Sequence, residues 1–260
     1  MARLVRAIVV MAQATYNHVS FCVGWFFAMS SVLLALDASS SACSVALLRR
    51  DAGKQECISR FELTPRAHTR RLMPMVDEVL AEAGIAPSEL DAVAYGRGPG
   101  SFTGLRIAAG AAQGLAFGLE RPLLGVSTLE ALALGAHRRY HFRYLVTALD
   151  ARMGEIYVAA WHCADGVTTL LQEEAVIAPQ ALRLPAKETD WVGVGSGWTL
   201  WEQMPAQVQA GLTQTLENIE ASAEDMVVLA ARDLDAGLGR DPHEVQPVYL
   251  RNEVAWKKPA

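Results

Sequence analysis

The run Gly96-Arg97-Gly98-Pro99-Gly100-Ser101-Phe102-Thr103-Gly104-Leu105-Arg106 follows the apolar stretch Ala92-Val93-Ala94-Tyr95 and leads into a segment rich in alanine and glycine that extends to Gly118. This order predicts a strand, a tight turn and a helix. Glycines at such spacing let the backbone pass close to another surface, and the start of the helix leaves unpaired N–H groups pointing outward. Two occupants satisfy that geometry: a phosphate, or a tightly packed protein partner. The spacing matches neither the dinucleotide fingerprint nor the Walker loop, since no Gly-Lys-Ser/Thr follows.

The rest of the chain bounds the function class. In 260 residues, 52% are hydrophobic and 20% charged, enough to bury one large core or two modest ones. A net charge of −5 argues against general nucleic-acid binding, which needs clustered Lys and Arg to displace counterions. Cys22, Cys43, Cys57 and Cys163 show no C-x-x-C pair and no disulfide framework, which fits a reducing, cytoplasmic setting. Residues 1–28 carry Arg3 and Arg6 and two apolar stretches interrupted by Tyr16-Asn17-His18. They read either as an extension upstream of a start at Met29 or as a targeting segment; the interruption argues against a bilayer span.

From Ser31 onward the pattern is regular. Val32–Leu36 and Cys43–Leu48 read as paired strands joined by the turn Asp37-Ala38-Ser39-Ser40-Ser41. A helix is expected over Thr69–Ala83, ended by Gly84. Further on, Ala148-Leu149-Asp150-Ala151 followed by Val158-Ala159 repeats Ala35-Leu36-Asp37-Ala38 followed by Val45-Ala46 at a constant offset of 113 residues. A duplicated lobe explains the match, although short strand motifs also recur for packing reasons. Trp191–Gly197 reads as a strand with a glycine loop, and Ala223–Asp235 as a helix. The expected architecture is α/β, with lobes at 29–138 and 139–260.

Six segments in order, Leu34–Ser39, His68–Pro74, Gly98–Arg106, Gly125–Leu132, Asp150–Arg152 and Pro247–Arg251, resemble the bacterial TsaB family of tRNA threonylcarbamoyladenosine biosynthesis proteins. That family belongs to the actin-like ATPase (ASKHA, ribonuclease H-like) superfold. The resemblance implies a two-lobe fold with duplicated lobes and a cytoplasmic, non-catalytic scaffold or dimerisation subunit. Its implied partners are a catalytic paralogue that transfers a threonylcarbamoyl group to N6 of adenosine 37 in tRNA, a small P-loop ATPase, and tRNA through the complex. A homodimer is possible when the chain is alone, and no membrane is involved. ATP and a metal are then expected in the partner subunits, with no intrinsic cofactor here. Where the paralogue has a metal-binding His-x-x-x-His, this chain aligns Thr128-Leu129-Glu130-Ala131-Leu132, and neither Thr128 nor Leu132 replaces an imidazole ligand. The alternative is an independent ATP-dependent enzyme or metallohydrolase of the same superfold.

Individual motifs carry competing readings. Asp37, Ser39, Gly98 and Gly100 are the candidates for weak or vestigial nucleotide binding; Asp37 and Asp150 otherwise cap their own turns. The second turn, Asp150-Ala151-Arg152-Met153-Gly154, lacks a glycine run. His68, Arg71, Leu72, Met75, Val76 and Val79 are the candidates for the partner interface, because the helix carries more apolar surface than one core-facing stripe requires; the alternative is a two-sided core. His137 and His141 have i, i+4 spacing, but Arg138, Arg139 and Arg143 beside them oppose a cation, and an exposed basic connector is the plainer reading. Ser39, Ser40 and Ser101 have no evident general base.

Overall fold

The computed structural model describes residues 30–64, 67–185 and 190–251; the expectations about residues 1–28 and a start at Met29 lie outside these. Two five-stranded sheets are built alike. The first contains β1 (Ser31–Asp37), β2 (Ala42–Asp51), β3 (Lys54–Leu63), β4 (Ala92–Gly98) and β5 (Leu123–Ser127), in the order β3-β2-β1-β4-β5. The second contains β6 (Tyr144–Arg152), β7 (Glu155–Ala164), β8 (Val167–Ile177), β9 (Trp191–Val194) and β10 (Leu212–Leu216), in the order β8-β7-β6-β9-β10. Directions match too: each opens with three antiparallel strands and adds two parallel ones. The duplication suggested by a short repeat is therefore a property of the whole topology. Its sequence register is one residue off: Leu36 pairs with Val45, whereas Leu149 pairs with Tyr157, because the second hairpin is one residue shorter.

Among the described residues five helices accompany the sheets: α1 (His68–Ala83), α2 (Phe102–Leu119), α3 (Thr128–Tyr140), α4 (Ala206–Gly211) and α5 (Ala223–Asp235). β1 reads as a continuous apolar run because both its faces are buried. Leu34 and Leu36 join α1 and α2 on one side, while Leu33 and Ala35 face a core shared with α3 and α5 on the other. That shared core continues into Leu145, Trp161, Cys163 and Val192 of the second sheet. A third cluster, around Trp191, Trp198 and Met204, covers the far face. The layers are thus α1/α2, first sheet, α3/α5, second sheet, and the segment Ser196–Gln203 with α4.

The two central helices cross between the halves. α5, from the C-terminal half, packs on β1 and β2, while α3, from the N-terminal half, packs on β6 and β7. The division expected at 138/139 therefore falls inside α3, and neither half closes its core without the other's helix. Capping fixes where these helices begin. Ser127 accepts the Glu130 N–H at 3.1 Å at the head of α3, and the Ala223 N–H at the head of α5 reaches Ser44 Oγ on β2 at 2.9 Å. No helix among the described residues is long and apolar enough to cross a membrane.

Candidate functional site

The glycine turn packs against the chain's own first hairpin. The Ser101 N–H donates to the Ser39 carbonyl at 2.6 Å. A Cβ on Gly100 would lie 2.4 Å from the same Ser39 oxygen, and one on Gly104 would lie 1.8 Å from the Ala38 oxygen. Gly98, in the left-handed region at φ +107°, precedes a cis bond to Pro99 and sits under the C-terminal segment, where the Val248 N–H donates to the Arg97 carbonyl at 2.8 Å. The neighbour that the glycines admit is neither phosphate nor partner but this chain's own backbone, residues 38–39 on one side and Val248 on the other.

Asp37 is fully buried at the end of β1. Its carboxylate accepts the Ser39 N–H at 3.2 Å and the Ser39 hydroxyl at 3.0 Å. Gly96 makes the room, since a Cβ there would lie 2.1 Å from Asp37 Oδ1. Burial pushes the carboxyl up to about 6, outweighing the hydrogen bonds from Ser39 that favour the charged form. The structure thus brings Asp37, Ser39, Gly98 and Gly100 together, but as a sealed turn with the carboxylate facing inward. The turn-capping alternative fits Asp37, whose carboxylate serves its own turn, and the turn around Ser39, Gly98 and Gly100 is packed with backbone rather than open. Asp150 also serves its own turn, accepting the Arg152 N–H at 2.8 Å and the Arg152 guanidinium at 3.0 Å.

The expected interface helix needs a correction. Leu72, Met75, Val76 and Val79 are all buried in the core between α1 and the first sheet. With Leu80, also buried, they span an arc of about 140° on α1 that faces the first sheet. Arg71 binds Glu62 on β3 and Glu78 two turns further along α1. Glu62 is held below the usual carboxylate range mainly by the hydrogen bond from Arg71. His68 is half-buried, and its Nε2 has no partner among the described residues. Among the residues that α1 shows to solvent are Met73, Pro74 and Asp77; on α2, Gly110, Gly114 and Gly118 border open space and Phe117 is exposed.

Thr128 and Leu132, at the positions aligned with metal ligands, are fully buried; Thr128 Oγ1 donates to Ser39 Oγ at 3.4 Å, and Leu132 fills the core between the sheets. His137 Nδ1 meets the Phe142 carbonyl at 2.8 Å, and His141 caps α3 at φ +61°. The segment is the end of a helix rather than a connector. Arg138 and Arg139 converge on the buried Asp225 at the head of α5, a partner that sequence spacing did not reveal. Also unforeseen is a junction between the sheets. Glu174 on β8 receives a two-pronged hydrogen bond from Arg97, both contacts at 3.1 Å, and a bond from the Ser127 hydroxyl. Beside it Glu130 binds Arg232 and Thr168, around a cavity of about 460 Å³.

The sequence and the fold are similar to those of known proteins. The family described as TsaD, tRNA N6-adenosine threonylcarbamoyltransferase, matches residues 61–258. The tRNA threonylcarbamoyladenosine biosynthesis protein TsaB of Escherichia coli is 42% identical over 230 residues, covering 87% of this chain and 97% of that protein. The chain belongs to the TsaB family. The Haemophilus influenzae TsaB is 40% identical over 234 residues, covering 87% of this chain and 96% of that protein. The crystal structure of YeaZ from Pseudomonas aeruginosa superposes with a TM-score of 0.78 at 43% identity, covering 85% of this chain and all of that one. The two-lobe, actin-like fold that the resemblance implied is thus the fold of a TsaB-family chain.

Proposed function

We propose that this chain acts in tRNA threonylcarbamoyladenosine synthesis as the non-catalytic subunit that holds a catalytic paralogue in its active arrangement. The observation that carries this reading is the closed glycine turn. The approach to the α2 N-terminus that an actin-like ATPase would offer to phosphate is occupied by the carbonyls of Ala38 and Ser39, and the adjacent Asp37 is fully buried. A buried threonine and a buried leucine at the aligned ligand positions favour the same reading, because neither side chain holds a metal as an imidazole does. The wide match to the TsaD family supports paralogy with the transferase.

In this reading the contact for the paralogue is the outward surface of α1 and α2, around Met73, Pro74, Gly110, Gly114 and Phe117. Glycines with open space above them let a second helix approach closely. ATP and metal then belong to the paralogue and to a small P-loop ATPase, tRNA is engaged through the complex, and the setting is cytoplasmic. The competing reading is an independent ATP-dependent enzyme. Light scattering on the chain alone and mixed with the paralogue, together with ATP and metal titrations of the chain alone, separates them. A heterodimer with no stoichiometric uptake by the single chain is expected; tight nucleotide or metal uptake without association would sink the scaffold reading.

A further inference from the structure

Three segments that the sequence sets far apart meet at one exposed place. Phe102 opens α2 directly after the glycine turn, and Tyr249 lies on the C-terminal segment that crosses that turn; their ring centroids are 5.7 Å apart. The Arg106 guanidinium lies 3.4 Å from the Phe102 ring centroid and 5.5 Å from that of Tyr249. Two residues along, Arg251 binds Glu155 and comes within 3.6 Å of the Met153 sulfur at the β6–β7 turn. Phe102, Tyr249 and Met153 are all exposed, and so are Arg106 and Arg152.

Met153 and Gly154 are the two central residues of the β6–β7 hairpin, where positive φ is the ordinary turn conformation, and Arg152 precedes them. Arg152 and Met153, at φ +64° and +58°, hold a guanidinium and a flexible thioether out into solvent. The local charge departs from that of the chain. Asp150 and Glu155 are matched by Arg152 and Arg251, and no carboxylate among the described residues pairs with Arg106, so the patch is positive on a protein of net charge −5.

We infer that the Phe102–Arg106–Tyr249 cluster, extended by Met153 and Arg152, is a contact for unpaired RNA nucleotides. Aromatic rings and guanidinium planes offer stacking faces that accept any base, and Arg106, which no carboxylate among the described residues neutralises, lies beside them to meet a phosphate. Double-stranded RNA hides its base faces, so the surface selects single-stranded loops. The inference deepens the proposed function, because it gives the subunit a direct hold on the tRNA in addition to its contact with the paralogue.

The test titrates a fluorescent RNA hairpin with an unpaired loop, and the same strand annealed to its complement, against the full chain alone and against the chain mixed with the paralogue. Light scattering and thermal melting are followed on every variant. The expected result is preference for the hairpin, with Phe102→Ala, Tyr249→Ala and Arg106→Glu each weakening it by about tenfold while Tyr249→Phe retains it, and with melting and association unchanged. Equal binding of hairpin and duplex, an affinity indifferent to Arg106→Glu, or no RNA binding by either preparation overturns the inference. So does loss of association in these variants with RNA binding intact, which would make the patch a protein contact. Failure of the wild-type chain to associate with the paralogue speaks against the proposed function instead, and the titration of the chain alone is read independently of it.

Discussion

Gly104 on α2 faces the Ala38 carbonyl so closely that a β-carbon on it would stand 1.8 Å from the oxygen. Backbone, not a flexible side chain, is the obstacle, so the hairpin or the helix has to move. Gly104→Ala is expected to destabilise the protein by at least about 3 kcal/mol, at the upper end of overpacking effects. Urea denaturation measures it. Gly118→Ala on the same helix meets open space and supplies the contrast, with an expected gain of about 0.5–1 kcal/mol from helix propensity. Equal effects at the two positions would contradict the packing described for the turn.

Much of this fold was legible before any coordinates. β1, β2, β4 and α1 announce themselves through runs and periods of apolar residues, and the Asp37/Asp150 repeat points to the duplication. The glycine turn announces a close approach, but nothing in its spacing says that the neighbour is this chain's own backbone at residues 38–39. β3 escaped notice because it is an edge strand with much of its length in solvent, so its sequence, Lys54-Gln55-Glu56-Cys57-Ile58, lacks an apolar stripe. The burial of Leu72, Met75, Val76 and Val79 is not legible from their spacing, because a stripe on a helix shows that something covers it, not what. Leu72 and Val76 are covered by this chain's own sheet. The pairs Arg97–Glu174 and Arg138–Asp225 span 77 and 87 residues, and no local pattern encodes contacts at that separation.

Asp37 makes stability depend on pH in the direction opposite to that of an ordinary ion-paired carboxylate. Burial raises it from 3.8 to about 6, so the folded state holds its proton more tightly than the unfolded chain does. Its unfavourable contribution is absent below about pH 4, grows between pH 4 and 6, and stays constant above, reaching roughly 3 kcal/mol. Asp37→Asn keeps an acceptor for the Ser39 N–H and a donor for its hydroxyl. The difference in unfolding free energy between variant and wild type should therefore rise in favour of the variant from pH 4 to pH 6 and then level off. A difference that is flat over this range would mean that Asp37 does not titrate there.

The Arg97–Glu174 pair ties the glycine turn of the first sheet to β8 of the second, with the Ser127 hydroxyl on the same carboxylate. Glu174 is nearly buried and Arg97 partly exposed, so a buried-pair loss has to be discounted for the water that reaches the arginine. Glu174→Ala is expected to cost about 2 kcal/mol, and a double-mutant cycle with Arg97→Ala should return a coupling of about 1 kcal/mol. Additive effects would show that the two residues stabilise the junction independently.

Changes on α1 and α2 should separate folding from association. Val76 is buried against the first sheet, so Val76→Asp places a carboxylate without a partner in the core and is expected to unfold the protein or cost more than about 4 kcal/mol. Any loss of partner binding in that variant reports unfolding. Met73 is exposed on the same helix, and Gly114 borders open space on α2, so Met73→Asp and Gly114→Trp leave the core untouched. Both should melt within a few degrees of wild type. If the paralogue docks on this surface, a charge in an apolar contact or an indole where two helices approach closely should weaken association by at least about 2 kcal/mol, near thirtyfold in Kd. Light scattering against the paralogue reads the outcome. Wild-type association in both variants would move the contact away from α1 and α2, whatever the buried stripe beneath them suggested.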